Sequence, residues 1–520
     1  MLLKNFNKLK ILSIIVFILV LIPAIFSLLH NGFFVSDDGN WMVIRFSAFY
    51  EVLRHGQFPV RFLTRLNNGY GYPVADFLYP LFMYIGVPIH VIGFNFVNTI
   101  KIIFGISLIS SSIFCFLWLR RLFDNLSSFI GSLVYLYFPY HLWDVYKRGS
   151  IGEVLALAVV PFILWQIERK SFVLSAVGIS LLILSHNTLA LLFTTVIVFY
   201  MLINVTLSSN KKNIIYQYIN ILVLGFLGSA FFWLPALYDL QYTVFLKTQV
   251  SNWDKYFSGL RLIGLSTIVI LVLTVLLIIN GKVKIKRHRL TMLFFIVGGL
   301  SIFLSISKSY FIWQLLPVSF IQFPFRFLSI TVLCVSFLAA CIISLFSIKK
   351  KILISVFILA IVFISSWSFL FPKKYQYFPD SYYSTNQDTT TVKNEYMPKW
   401  VKNVPQTMPA NKAEVVGGKG KINIINMSVN KIIMQVYLHT KRTIQVNMIY
   451  FPGWIIYADG RKVKIDYNVN GLIRFDIPSG NHTILLEFEE TRLRLLADII
   501  SFLTLLVMFT LFVKKIFKKV

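Results

Sequence analysis

Charge is what this chain has little of. Only 14% of its 520 residues are Asp, Glu, Lys or Arg, where a soluble domain carries about 25%. That deficit excludes an ordinary soluble globular protein. Cysteine is almost missing as well. Cys115, Cys334 and Cys341 each sit inside an apolar run, so neither a disulfide framework nor a metal-ligand spacing can be built from them. They read as small core residues. Most of the chain lacks the short alternating segments of a membrane barrel, which excludes that class. No small-residue cleavage site follows the first apolar run, so an uncleaved anchor is expected there rather than a signal peptide.

What is present is hydrophobic. Apolar residues make up 57% of the chain, mean hydropathy is +0.73, and long apolar runs recur. This is the composition of a polytopic α-helical membrane protein. The formal charge of +29 would suit nucleic acid if it were gathered on one face. Instead the basic residues stand in short clusters beside apolar runs, the pattern of orientation signals, and no nucleic-acid partner is expected.

Twelve spans are expected, at 10–29, 98–119, 126–143, 151–167, 171–186, 187–207, 217–238, 260–280, 291–306, 326–347, 352–371 and 494–513. With the N-terminus in the cytoplasm, the inner loops hold Arg120-Arg121, Arg169-Lys170, Lys211-Lys212, "KVKIKRHR" at 282–289 and Lys349-Lys350-Lys351, and the tail "KKIFKK" is also inside. Every strong basic cluster then lies on one side, as the positive-inside rule requires. This holds only if 76–94, "DFLYPLFMYIGVPIHVIGF", does not cross. Its Asp76, Pro80, Pro88 and aromatics suit an interfacial or re-entrant segment. Both termini are then cytoplasmic.

Three regions follow. Residues 1–371 form a multi-span domain with a large outer loop at 30–97. Residues 372–493 form an extracytoplasmic domain, and 494–520 hold the final helix and a basic tail. In the middle region "KINIINMSVNKIIMQVYLHTKRTIQVNMIY" alternates with period two, "ADGRKVKI" places Asp459-Gly460 at a hairpin turn, and "IPSGNHTILLEFEE" repeats the strand–turn–strand pattern. A small antiparallel β-sandwich is expected over 415–490, after an irregular lead-in.

Polar groups gather at the outer ends of the spans. Asp37 and Asp38, in "FFVSDDGNWMVIRF", follow the first. Lys147 and Arg148, in "YKRGSIGE", follow the third, and Glu153 opens the fourth. His186-Asn187, in "LSHNTLALL", turns between the fifth and sixth, and Gln322 and Arg326, in "FIQFPFRFL", precede the tenth. Juxtamembrane ionisable residues point to function. Structural readings stand beside this one. Asp37 can cap a helix starting near Asn40, His186-Asn187 can be a tight turn with an Asn cap, Arg326 can be a snorkelling anchor, and Glu153 can simply pair with Arg148.

The chemistry such a set suits is sugar transfer from a lipid phosphate. A carboxylate, Asp37 or Asp38, acts as general base on an acceptor hydroxyl. Arg and Lys neutralise the leaving phosphate. A second carboxylate positions the acceptor or holds a divalent cation, and no other cofactor is implied. The expected partners are a polyprenyl-phosphate sugar donor, membrane lipid, and a glycan or wall-polymer acceptor.

"GQFPVRF", "NNGYGYPVADFLYPLFMY", "KRGSIGEVLALAVVPFILW", "LSHNTLALLF", "FPFRFL", "NEYMPKW" and "YFPGWIIYADGRKV" together resemble a bacterial membrane family labelled 6-pyruvoyl-tetrahydropterin synthase-related, similar to the YfhO-like proteins. The label does not imply a pterin enzyme, since no soluble pterin-synthase pattern and no zinc-binding histidine trio is present. The resemblance implies a GT-C glycosyltransferase that takes a sugar from polyprenyl phosphate and inverts its anomeric centre, with Asp37 and Asp38 in the acidic-motif position. Where relatives often carry a histidine after that motif, this chain has Trp41 and Met42, and Arg45 one helical face further on is a substrate-binding candidate. Richness in Lys, Asn and Ile suits a Gram-positive bacterium, and hence a wall polymer such as teichoic acid, or an exopolysaccharide, as acceptor. Two other classes compete. A transporter or flippase usually places ionisable groups near the midplane and repeats its halves, neither of which is seen. A non-catalytic wall-glycan scaffold would use the aromatics of "YFPGW", which equally suit a core.

Overall fold

The computed structural model describes residues 18–245, 252–281, 285–315, 321–388 and 394–517. Residues 10–17 of the first expected span, 282–284 of the basic loop and 518–520 of the tail lie outside the described residues.

The fold is mostly helical, with its main β structure just before the last helix. Seven helices among the described residues are long and apolar enough to cross a membrane. In chain order the helices that matter here are α1 (Gly39–Arg54), α2 (Leu81–Val91), α3 (Phe96–Leu119), α4 (Asn125–Leu136), α5 (Ile151–Glu168), α6 (Phe172–Ser185), α7 (Asn187–Thr206), α8 (Lys211–Gly228), α9 (Ala230–Asp239), α10 (Leu265–Ile279), α11 (Ile285–Ser305), α12 (Leu328–Ser344), α13 (Ile348–Leu370) and α14 (Arg492–Phe517).

The twelve expected spans are therefore not all continuous helices. The third, 126–143, stops at Leu136. Phe138 is extended because Pro139 follows it, and the chain restarts as the short helix Pro139–Trp143 and a π-helical turn at Asp144–Arg148. The seventh, 217–238, breaks at Gly228-Ser229 into α8 and α9, which with the turn to Tyr242 bend by 67°; paired Gly and Ser are a common site of sharp kinks. The fifth and eighth are helices of 14 and 15 residues, and the segment 76–94 folds as the 11-residue α2, short of the ~20 residues a perpendicular crossing needs. The most buried of the spanning helices, α5 and α12, form the centre of the bundle. Cys115, Cys334 and Cys341 are buried there.

The β region has eight strands, β1 (Ala413–Val416), β2 (Gly420–Met427), β3 (Lys431–Leu438), β4 (Arg442–Ile449), β5 (Trp454–Ala458), β6 (Arg461–Val463), β7 (Leu472–Ile477) and β8 (Gly480–Phe488). They form two antiparallel sheets, ordered β2-β3-β8-β5-β6 and β1-β4-β7. Alternation sets the inner faces. Ile432, Met434, Val436 and Leu438 of β3 are buried, as are Ile473, Phe475 and Ile477 of β7. Asp459 and Gly460 join β5 to β6 with φ of 50° and 77°, the doubly left-handed pair a tight hairpin requires. The loop before α2 reaches this region: Tyr70 O accepts from Ile449 N at 2.8 Å.

Candidate functional site

The site begins with a backbone strap. Asp37 N donates to Lys147 O at 3.0 Å and Asp38 N to Arg148 O at 2.7 Å, so the acidic segment lies along the end of the π-helical turn. Gly149 permits this approach. Its φ is +68°, and a Cβ there would stand 2.6 Å from Ser36 Oγ and 2.7 Å from Gly39 N. Gly149→Ala is expected to lower the thermal unfolding temperature in detergent. The left-handed backbone alone costs ~1–2 kcal/mol, and the clash adds to it. Gly149→Asn, tolerant of that backbone, should recover only the first part.

Behind the strap lies a buried ionic cluster. Glu153, at the start of α5, is fully buried. Its Oε1 lies 2.5 Å from Arg148 Nη1 and 2.9 Å from Arg326 Nε, and its Oε2 accepts from Tyr140 OH at 2.8 Å. Arg148 also reaches Asp144 Oδ1 at 3.0 Å and Asp38 Oδ2 at 3.3 Å. Arg326 donates to Ile321 O at 2.8 Å and Gln322 Oε1 at 2.6 Å. Both guanidiniums lie over aromatic rings, Arg148 at 4.9 Å from Phe325 and Arg326 at 5.0 Å from Phe323. Arg326 is thus a buried, oriented cation and not a snorkelling anchor.

The helix caps fall differently from the sequence expectation. His186, not Asn187, caps α7, its Nδ1 accepting from Leu189 N at 3.3 Å, while its Nε2 stands 3.8 Å from Glu153. Asn187 instead donates to Phe77 O at 3.0 Å. Asp38 occupies the N-cap position of α1 but its side chain makes no cap bond. Its carboxylate faces Arg148 instead.

A cavity of about 730 Å³ opens beside this cluster. Seven expected residues line it: Asp38, Arg45, Arg148, His186, Asn187, Gln322 and Arg326. Three do not. Asp37 and Lys147 are exposed and pair with each other at 3.0 Å, and Glu153 lies behind the two arginines it holds. At the bend into α1, Asp37 turns outward to Lys147 while Asp38 turns inward to Arg148. The cavity's other flank is apolar, made by Leu191, Val198 and Phe199 of α7, Phe226 of α8, and Trp233 and Leu237 of α9. Sequence reasoning missed Asp144, Tyr140, Glu395 and Tyr396. The first two lie at or beyond the end of what reads as an apolar span. The other two line the cavity from the aperiodic lead-in, whose only signal is the string "NEYMPKW". Among the described residues no group of three His, Cys, Asp or Glu gathers as a metal site; Asp38, Asp144 and Glu153 face guanidiniums.

An uncharacterized protein of Lactococcus lactis subsp. cremoris (strain MG1363) is 25% identical over 271 residues, 48% of this chain and 43% of that protein, so the chain spans less than half of that relative's length. Among solved structures the fold is similar to the arabinofuranosyltransferase AftD from Mycobacteria, at 15% identity and TM-score 0.42, covering 69% of this chain and 27% of that one. It is also similar to the Archaeoglobus fulgidus oligosaccharyltransferase, at 15% identity and TM-score 0.41, covering 71% and 53%. The family model described as "6-pyruvoyl-tetrahydropterin synthase related domain; membrane protein" matches residues 76–371, more than half of the chain, and the protein belongs to that family of membrane proteins.

Proposed function

We propose that the protein is a GT-C type membrane glycosyltransferase that moves a sugar from a polyprenyl-phosphate donor to an extracytoplasmic acceptor, a cell-wall polymer, lipid or exopolysaccharide. One observation carries the reading: a single cavity joins a guanidinium-rich end to an apolar flank. A lipid phosphate has that same division. Leu191, Phe199, Phe226 and Leu237 line the flank and remain 53%, 48%, 40% and 64% exposed, so it opens sideways, toward lipid in a bilayer.

In this reading the donor's phosphate meets Arg148 and Arg326, whose forks are already oriented by Glu153. Arg45, His186, Asn187 and Gln322 contact the sugar and phosphate oxygens. Asp38 accepts the acceptor hydroxyl's proton as that oxygen attacks the anomeric carbon. The bond from that carbon to the phosphate oxygen breaks, the anomeric centre inverts, and the guanidiniums hold the charge of the departing polyprenyl phosphate. Asp37 keeps Lys147 and the strap in place. The site faces outward from a bacterial cell membrane with both termini cytoplasmic, the short and broken helices complete twelve spans, and the two sheets form a sandwich.

The test uses protein reconstituted in nanodiscs with tritiated polyprenyl-phosphate hexoses. Asp38→Asn is expected to lower transfer about 10²–10⁴-fold, the usual contribution of a general base, with the unfolding temperature and polyprenyl-phosphate binding unchanged. Parent-like transfer by this variant would remove Asp38 as the base. Flipping of the donor with no glycosyl product would favour a transporter.

A further inference from the structure

The cavity wall holds a carboxylate from a part of the chain far from the acidic motif. Glu395 lines the cavity from the lead-in to the β region. Its backbone is held on several sides. The ring of Tyr396 is sandwiched between Phe77, at 4.8 Å and 5°, and Phe245, at 5.4 Å and 4°. Tyr396 N donates to Tyr72 OH at 3.0 Å. Asn394, with φ 53°, starts a turn closed by Met397 N at 2.8 Å. The lead-in then pairs with the segment after α9: Val244 N donates to Met397 O at 2.9 Å, and Lys399 N to Tyr242 O at 2.8 Å.

Next to this point lies a cluster of rings. Trp400 lies 6.0 Å from Tyr242, 4.9 Å from Tyr467 and 5.8 Å from Tyr450, and Tyr467 stacks on Tyr450 at 4.4 Å and 9°. All four are only half-buried, whereas Phe451 and Trp454 beside them are core. The cluster borders the cavity through Tyr242, two residues beyond Leu240, which lines it. Four aromatic residues from separate segments thus keep part of their surface open in one patch, and Trp400 is five residues beyond the cavity carboxylate Glu395.

Sugar rings offer C–H faces to aromatic rings and pairs of hydroxyls to a carboxylate, which accepts on both oxygens. We infer that this aromatic patch binds the acceptor as a glycan chain, with Glu395 accepting hydrogen bonds from hydroxyls of the unit that enters the cavity. This rests on the glycosyltransferase reading. Glu395 is a positioning residue, and Asp38 remains the proton acceptor.

The experiment uses the full chain in nanodiscs, with cellohexaose, maltohexaose and chitohexaose as probe glycans read by saturation-transfer NMR, and undecaprenyl phosphate read separately by native mass spectrometry. At least one hexasaccharide is expected to bind saturably. Glu395→Gln and Trp400→Ala should each weaken that binding about tenfold or more, Trp400→Tyr should restore it, and undecaprenyl phosphate affinity should not change. No saturable hexasaccharide binding, or parent-like affinity in both variants, overturns the inference. A loss of undecaprenyl phosphate binding in the same variants also overturns it, by moving these residues to the donor end. A parent protein that binds a hexasaccharide but not undecaprenyl phosphate supports the glycan patch and defeats the donor reading, so the two failures are distinct.

Discussion

A Glu153→Ala protein is expected to unfold far more readily than the parent and to lose its grip on lipid phosphate. Glu153 is fully buried and holds Arg148 and Arg326 together, one from the π-helical turn before α5 and the other from the turn before α12. Both guanidiniums are about 95% buried, at 5% exposure each. Without Glu153, the acceptors left to Arg326 among the described residues are the neutral Ile321 O and Gln322 Oε1, and Arg148 must rely on Asp144 and Asp38. Removing one partner of a buried ion pair costs about 3–5 kcal/mol. Glu153→Gln separates charge from shape, since its amide oxygen keeps a neutral acceptor for both arginines while its amide NH2 meets the Tyr140 hydroxyl, which can turn to accept. It should fall between parent and Ala in chemical denaturation. In undecaprenyl phosphate titrations Ala should bind at least about tenfold more weakly, because the oriented forks are lost. If Glu153→Ala matches the parent in both measurements, the cluster does not orient the arginines.

The residues of that cluster were partly legible in the sequence. Asp38, Arg148, Glu153, His186 and Arg326 each interrupt or flank an apolar run, and a charged residue at such a place is costly enough to be noticed. Their convergence was only an expectation, since one shared depth in the bilayer does not fix a shared azimuth around the bundle. The break at Pro139 hid Asp144 and Tyr140, because Phe138, Pro139, Leu142 and Trp143 are as apolar as the helix before them. Asp37 and Asp38 looked alike as neighbours, but the bonds to Lys147 O and Arg148 O turn one outward and the other inward. Glu395 had no periodicity around it. The paired strands were readable from alternation, whereas their division into two sheets depends on pairings such as β3 with β8, more than 40 residues apart, that no local pattern records.

Arg494→Met should cause the largest loss of stability away from the cavity. Arg494 is fully buried at the start of α14. Its Nη2 lies 2.8 Å from Asp239 Oδ2 and 3.5 Å from Asp76 Oδ2, its Nη1 donates to Pro452 O at 2.8 Å, and it lies 5.2 Å from the Phe451 ring. Arg61 completes the network, 3.5 Å from Asp76, 3.1 Å from Glu490 and 2.9 Å from Asp498. Two guanidiniums thereby join the loop before α2, the end of α9, the β region and α14. The same network sets the cavity wall. Phe77 and Leu78 follow Asp76, Ala236 and Leu240 flank Asp239, and all four line the cavity. Methionine fills similar space without a charge, so Asp76 and Asp239 lose their shared partner at a cost of about 3–5 kcal/mol. Arg494→Lys should recover only part of this, because an ammonium cannot serve two carboxylates and a carbonyl with a planar fork. Asp239→Asn placed on Arg494→Met removes one unpaired carboxylate and should restore about 1–3 kcal/mol of the loss. Single and double variants that add to within about 0.5 kcal/mol would show the two residues to be energetically independent, and the network would then not be what holds the β region against the bundle.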